Sequence, residues 1–166
     1  MKQKYLSITS LLFILFFASS CFEDLRIKFD KEGVVEFEDA VRRTPAAGAT
    51  FPVIALTRTS GLQSLQVNLV GQQLKSPQEL SISIDTTISG FLNSSTIRAV
   101  EGTHFSLNGG KFTMKSDTSF SAFRFNVQNV SPVAGRTALV VLKLEGGNVL
   151  KPSENHRRVG FRISLQ

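Results

Sequence analysis

The sequence predicts an all-β domain built as an antiparallel β-sandwich. Short segments in which apolar and polar residues alternate recur at about ten-residue spacing, and turn-forming residues separate them. No amphipathic helix is long enough to cover a sheet. Eight or nine short strands of this kind are typical of an immunoglobulin-like sandwich, which is the architecture that we expect.

The first two predicted strands lie on either side of a turn-rich break. Residues 34–38 alternate so that Val35 and Phe37 face inward. After a break rich in proline, alanine and glycine, residues 51–57 resume as a strand. Because Pro52 cannot donate a backbone hydrogen bond, we expect this second strand at the edge of its sheet.

A hairpin is predicted from the next two strands. Residues 65–69 and residues 80–84 each carry an apolar residue at every second position, and a polar stretch connects them. The side chains predicted to face inward are Leu65, Val67, Leu69, Leu80, Ile82 and Ile84. Two half-buried strands joined in this way favour direct pairing.

A loop and a second hairpin are predicted to follow. Residues 86–103 lack sustained apolar spacing, so we expect a loop with one helical turn. Residues 105–107 and 111–114 flank Asn-Gly-Gly at residues 108–110, whose glycines readily adopt positive φ in a tight turn. A short hairpin is the expected structure.

The last three segments carry the clearest strand patterns. Residues 123–128 place Phe123 and Phe125 on one face and polar side chains on the other, and residues 159–165 alternate in the same way. Between them, residues 137–144 are apolar on both faces for most of their length. This pattern predicts a central strand that is covered on each side.

An export signal precedes the sandwich. Lys2 and Lys4 are followed by an apolar run at residues 11–18, which is too short to span a hydrocarbon core about 30 Å thick. The run ends in small residues before Cys21, the sole cysteine. This ending, with Ala18 where a leucine is usual, resembles the lipobox of bacterial lipoproteins and implies that Cys21 is acylated and begins the mature chain. The alternative is an ordinary secretory signal with an incidental cysteine.

The lipobox resemblance divides the chain into three parts. These are a signal at residues 1–20, a lipidated N terminus and tether at residues 21–33, and the sandwich at residues 34–166. Glu23 and Asp24 resemble the surface-export signal of Bacteroidota lipoproteins, although acidic residues there also keep a tether solvated. The resemblance implies an outer-membrane protein, anchored by lipid and facing the cell surface.

The charge and the aromatic content of the mature chain argue against some classes of function. Removing Lys2 and Lys4 from the 19 basic residues leaves 17 against 13 acidic residues, and no basic stripe of the nucleic-acid-binding kind is present. The mature part has no tryptophan, and Tyr5 lies in the signal, so eleven phenylalanines are its only aromatic residues. Phenylalanine has no polar edge, and most of these rings therefore belong in the core.

Four segments carry a resemblance to known families. They are Gln-Val-Asn-Leu-Val-Gly at residues 66–71, Val-Glu-Gly-Thr-His-Phe at residues 100–105, the Phe-rich strand that follows, and the apolar strand at residues 138–144. Together they resemble a largely uncharacterised family of Bacteroidota lipoprotein sandwiches, which implies association with outer-membrane nutrient-uptake systems. Residues 101–105 also resemble the Calx-beta domain. His104 holds the position of an acidic residue there, which argues against calcium binding.

Catalytic and metal-binding patterns are sparse. The two histidines, His104 and His156, have no second histidine or cysteine at ligand spacing, and the acidic residues are dispersed. We predict no catalytic residue, no metal and no cofactor, and we interpret both histidines as structural or solvated. Asp85-Thr86-Thr87 resembles the short O-glycosylation acceptor of Bacteroidota, which makes Thr86 a candidate site. The alternative is an ordinary turn at the end of a strand.

The function that follows is a non-enzymatic binding or accessory module, held at the membrane by its lipid and serving an outer-membrane uptake complex. A protein partner is favoured over a glycan, because sugar sites commonly use the ring faces of tryptophan and tyrosine. The polar strand faces offer hydrogen-bonding side chains instead: Gln66, Asn68, Arg124, Asn126 and Arg162. A glycan-binding protein, a fimbrial or adhesin-like subunit, and an enzyme remain as alternatives.

Overall fold

The computed structural model of the protein describes residues 33–166. The predicted signal, Cys21 and all of the tether except Gly33 lie outside the described residues. The elements are β1 Val34–Phe37, α1 Glu38–Arg42, β2 Val53–Thr57, β3 Leu62–Val70, β4 Gln78–Ile84, a 3₁₀ turn Ser89–Phe91, β5 Thr96–Arg98, β6 Phe105–Ser106, β7 Lys111–Met114, β8 Phe120–Val127, β9 Thr137–Gly146, β10 Lys151–Pro152 and β11 Arg158–Ser164. Within this part of the chain, no helix is long and apolar enough to cross a membrane.

The strands form two sheets that pack as a sandwich. The first sheet has the order β10-β1-β3-β8-β6, and the second has the order β2-β11-β9-β4-β7, with β5 beside β9. Most neighbours are antiparallel, as predicted, but three pairs are parallel: β1 with β10, β2 with β11, and β5 with β9. The expected eight or nine strands are eleven in the described residues. The two strands beyond nine are β5 and β10, which have three and two residues and are too short to show an alternating pattern.

The core lies between the sheets and is built mainly of phenylalanine and aliphatic side chains. Val35 and Phe37 are fully buried, as their alternation predicts. Phe123 and Phe125 are buried on one face of β8 while Arg124 between them is exposed, so the predicted register is confirmed. The Phe125 ring lies across the core from Phe161, with the ring centroids 4.9 Å apart.

β9 is the central strand that its sequence predicts. Ala138, Val140, Leu142 and Leu144 enter the main core, whereas Leu139 and Val141 point to the opposite face and are also fully buried. A second cluster covers that outer face. It consists of Phe51 and Ile88 together with Ala49, Val53, Phe91 and Leu92 around them.

Both predicted hairpins are wrong. β3 lies in the first sheet and β4 in the second, and β6 and β7 are divided in the same way. The Asn-Gly-Gly turn does adopt positive φ at all three residues, but it carries the chain between sheets. Gly110 is required there, since a Cβ would lie 2.4 Å from the carbonyl oxygen of Ile82. Alternation shows which face of a strand is buried, and both sheets bury their inner face against the same core.

Three further elements can be compared with the sequence predictions: the edge strand β2, the loop at residues 86–103, and α1. β2 is an edge strand with Pro52 directly before it, as predicted. Residues 86–103 contain the expected helical turn, but also β5, which the sequence pattern does not disclose. α1 is a further addition, because the first strand ends at Phe37 and the next five residues form a helix.

Candidate binding surfaces

The outward face of β3 and β8 is the first candidate surface. Its polar side chains are Ser64, Gln66, Asn68, Arg124 and Asn126, which we call the polar face. The strand register places Ser64 opposite Arg124 and Leu62 opposite Asn126. A continuous row of hydrogen-bonding groups therefore follows the middle of the first sheet.

Hydrogen bonds fix part of the polar face and leave the rest free. The Gln66 amide donates to Asn68 Oδ1 at 2.8 Å, and the Asn68 amide donates to Glu38 of α1. Arg124 is exposed, and within residues 33–166 it has no ion-pair partner. Four of the five side chains predicted to form a contact thus share one surface. Arg162 lies on β11 in the other sheet.

A groove beside α1 is the second candidate surface. It has a volume of about 600 Å³ and lies between α1, residues 43–50 and residues 154–158. Its polar lining consists of Arg43, Thr50, Glu154, Asn155, His156 and Arg158. Residues 154–158 lie more than one hundred residues from the other two segments in sequence, so the groove exists only in the folded chain.

Arg158 is the best-held side chain of the groove. Its Nη1 donates to Asp85 Oδ2 at 3.2 Å, and its Nη2 donates to Thr50 Oγ1 at 2.9 Å. The guanidinium carbon also lies 5.4 Å from the centre of the Phe51 ring. Arg158 therefore joins the segment before β2 to the second sheet, and each of its two terminal nitrogens already donates one hydrogen bond.

Asp85 is the buried acid that anchors this arrangement. Burial raises the pKa of its carboxyl group, but hydrogen bonds from the Thr87 hydroxyl, the Thr87 N–H and Arg158 outweigh that effect. The pKa of Asp85 consequently lies below its usual value. The carboxylate stays charged and holds the end of β4 against Arg158.

The two histidines take structural positions. His156 Nδ1 lies 3.2 Å from Glu36 Oε2, and the His156 carbonyl accepts the Phe37 N–H at 3.0 Å. His104 Nδ1 accepts the Val100 N–H at 3.0 Å. Neither histidine lies in a group of three or more possible metal ligands among residues 33–166.

The segment that resembles the Calx-beta motif is closed by its own hydrogen bonds. The Glu101 carboxylate accepts the Leu107 N–H at 3.1 Å, and the His104 N–H donates to the Val100 carbonyl at 2.8 Å. These contacts hold the turn before β6. Glu101 and His104 thus serve the local backbone.

Thr86 lies directly after β4 and is exposed. Its carbonyl accepts a hydrogen bond from Arg98 at 3.2 Å, while the Asp85 carboxylate accepts the Thr87 N–H and hydroxyl at 2.9 and 2.6 Å. The motif thus forms a compact turn at the strand end. Glycosylation of Thr86 stays a prediction, and the turn leaves this side chain accessible.

Comparisons with known proteins identify the fold. No family model matches the chain, and no curated protein matches it. The apo-form Calx CBD1 domain superposes with a TM-score of 0.55 at 12% identity, covering 81% of this chain and 97% of that domain. The fold is that of the Calx-beta sandwich. The prediction drawn from residues 101–105 is confirmed at this level, while membership of a lipoprotein family stays a prediction.

Two structures from Bacteroides ovatus share the fold. A protein of unknown function superposes with a TM-score of 0.54 at 11% identity, covering 78% of this chain and 44% of that one. A candidate carbohydrate-binding protein gives 0.52 at 9% identity, with 79% and 36% coverage. This chain therefore spans less than half the length of either protein. At these identities the likeness concerns the fold alone.

Proposed function

We propose that the protein is a non-enzymatic binding module, held at the outer membrane by acylated Cys21, that engages a protein partner through the polar face. The observation that supports this most is the composition of that face. An exposed arginine and several amides lie beside Leu62, which is also exposed. Interfaces combine apolar contact area with hydrogen-bonding groups of this kind, and arginine is enriched in them.

Arg124 is the side chain on which we expect the contact to depend most. It has no competing ion pair within the described residues, so a partner carboxylate would meet a guanidinium that is not yet engaged. Arg158 in the groove differs, because Asp85 and Thr50 already accept its hydrogen bonds. A new acidic partner would gain less there.

The test is affinity purification of the acylated protein from native outer membranes, with Arg124→Glu compared with Arg162→Glu. Both arginines are exposed strand residues, but they lie on opposite sheets. We expect one outer-membrane protein to copurify with the wild type and with Arg162→Glu and to be lost with Arg124→Glu. Equal retention by both variants would contradict the proposed surface.

The lipid anchor at Cys21 and the location at the cell surface can be tested separately. Mass spectrometry of the protein from native membranes should show cleavage before Cys21 and acylation of its sulfur and amino group, since stable anchoring takes more than one acyl chain. Protease added to intact cells should reach the sandwich if the acidic residues after Cys21 direct it to the surface. Protection in intact cells would place the domain on the periplasmic face.

Glycan binding is the second candidate function, and the groove is the observation that favours it. A volume of about 600 Å³ lies within the range of about 300–1,000 Å³ that is typical of small-molecule sites. Among residues 33–166 the lining supplies several polar groups but no phenylalanine, tyrosine or tryptophan. Calorimetry of the detergent-solubilised acylated protein against soluble polysaccharides tests this. Micromolar affinity that Asn155→Ala removes would favour the glycan over the protein partner.

A further inference from the structure

We propose that one end of the sandwich rests on the membrane surface, with Phe120, Val70 and Val149 in contact with the lipid headgroup region. This inference rests on the proposed anchor at Cys21. We call the surface the tether end, because Gly33 lies there. We propose that the tether end binds the anionic headgroups of a lipid bilayer.

The position of Gly33 defines the tether end. Val34, the next residue, pairs with Val70 at the last position of β3. The Lys151 N–H donates to the Gly33 carbonyl at 3.3 Å, which places the turn at residues 147–150 nearby. The turns at residues 71–77 and 115–119 meet at the same end. Lys75 pairs with Asp117 at 2.6 Å, and the Asp117 N–H donates to the Leu74 carbonyl at 2.8 Å.

Three large apolar side chains are exposed at the tether end. Phe120 is 63% exposed, and Val70 and Val149 are 41% and 44% exposed. Phe120 pairs with Asn68, and Val70 lies two residues after Asn68 on the same strand. The side chains of Phe120 and Val70 therefore share the outward face of the first sheet. Phe120 and Val70 are diagonal neighbours on that face, and adjoining exposed apolar side chains mark a contact with a partner or a membrane.

Charge at the tether end suits an anionic surface. Lys75 pairs with Asp117 in the turns at this end, and Lys111 pairs with Glu79 beside them, at 2.6 and 2.9 Å. The exposed lysines Lys115 and Lys151 have no ion-pair partner within residues 33–166 and give this end a positive charge. Lysines beside apolar side chains are the composition by which domains bind anionic headgroups, since the cations meet the phosphates while the apolar groups enter the interface.

The tether reaches the bilayer most directly from this end. Twelve Cα–Cα steps join Cys21 to Gly33, which span at most about 40 Å. β3 runs from Leu62 to Val70 over nine residues and is therefore about 27 Å long. If Leu62 faced the bilayer, the tether would have to run from Gly33 along the whole length of β3 to reach the membrane. That path would take up about two thirds of the maximum length of the tether. The tether end needs no such detour.

Leu62 provides the matched control. It is 64% exposed, compared with 63% for Phe120, and it lies at the opposite end of the same sheet. The acylated full chain would be placed in vesicles of phosphatidylethanolamine and phosphatidylglycerol with a nitroxide at Phe120→Cys or Leu62→Cys. Because the thioether occupies the sulfur of Cys21, each introduced cysteine is the only free thiol.

We expect the label at position 120 to collide more with lipid-soluble oxygen and less with a water-soluble nickel chelate, and the label at position 62 to show the reverse. Equal access of the nickel chelate to both labels, with Cys21 acylated in the same preparation, would overturn the orientation and leave the proposed function standing. Unacylated Cys21 in native membranes would overturn both the anchor and the orientation.

Discussion

The outer faces of the two sheets differ in what covers them. On the second sheet, Leu139 and Val141 point away from the main core, and Phe51 and Ile88 from the chain's own loops bury them completely. On the first sheet, the central outward positions of β3 and β8 carry amides and Arg124 and stay open, while exposed Leu62 and Phe120 lie toward the two ends of the same face. The chain thus closes its apolar outer face with its own segments and leaves its polar one available. This difference underlies the assignment of the polar face to a partner.

The largest effect is expected in the core that both sheets share. Phe125→Ala should lower the free energy of unfolding by about 3–5 kcal/mol, because it removes a fully buried ring in contact with Phe161. Phe123→Ala should cost a similar amount, whereas Arg124→Ala should change it by less than about 0.5 kcal/mol. Denaturant unfolding of the three variants measures this. Greater sensitivity at Arg124 would mean that the register of β8 is shifted by one residue.

A smaller effect is expected at the cover of the second sheet. Ile88→Ala should lower the free energy of unfolding by about 2–3 kcal/mol, since the side chain packs on Leu139 and Val141. Leu62→Ala on the open first sheet is the control and should cost less than about 0.5 kcal/mol. Similar losses from both substitutions would remove the distinction between a covered and an open sheet.

The smallest effect is expected at Asp85. This residue precedes the segment that carries Ile88, and its contact with Arg158 holds that segment to β11. Asp85→Asn should cost about 1–2 kcal/mol at neutral pH, where the charged hydrogen bonds are intact. The folded pKa of Asp85 lies below the unfolded one. Its contribution to stability is therefore fully present above the unfolded pKa of about 4 and is lost as the pH falls through the folded pKa. Unfolding of both proteins across acidic pH measures it. A difference that grew as the pH fell would contradict this sign.

Much of the fold follows from sequence because alternation directly reports burial. The inward residues of β1, β3, β8 and β11 and the doubly covered β9 are all predicted correctly. Strand pairing is not predicted, because both sheets bury the same kind of face against one core. The connection at residues 72–77 therefore links the two sheets and does not close a hairpin.

The sequence predicts the polar face but not the groove. The polar face is made by the outward residues of two strands, so alternation discloses its members, although not that Arg162 lies elsewhere. The groove depends on contacts such as Arg158 with Asp85 and His156 with Glu36, which are 73 and 120 residues apart. No local pattern encodes such contacts, since they arise only when strands that are distant in sequence are assembled.

The most direct test of the central claim is photocrosslinking in living cells from a photoreactive residue at Gln66 and, separately, at Arg162. The two positions are exposed on the outer faces of the first and second sheets. The account predicts a crosslink to one outer-membrane protein from position 66 and none from position 162. A crosslink from position 162 alone, or none from either position, would contradict a partner on the polar face.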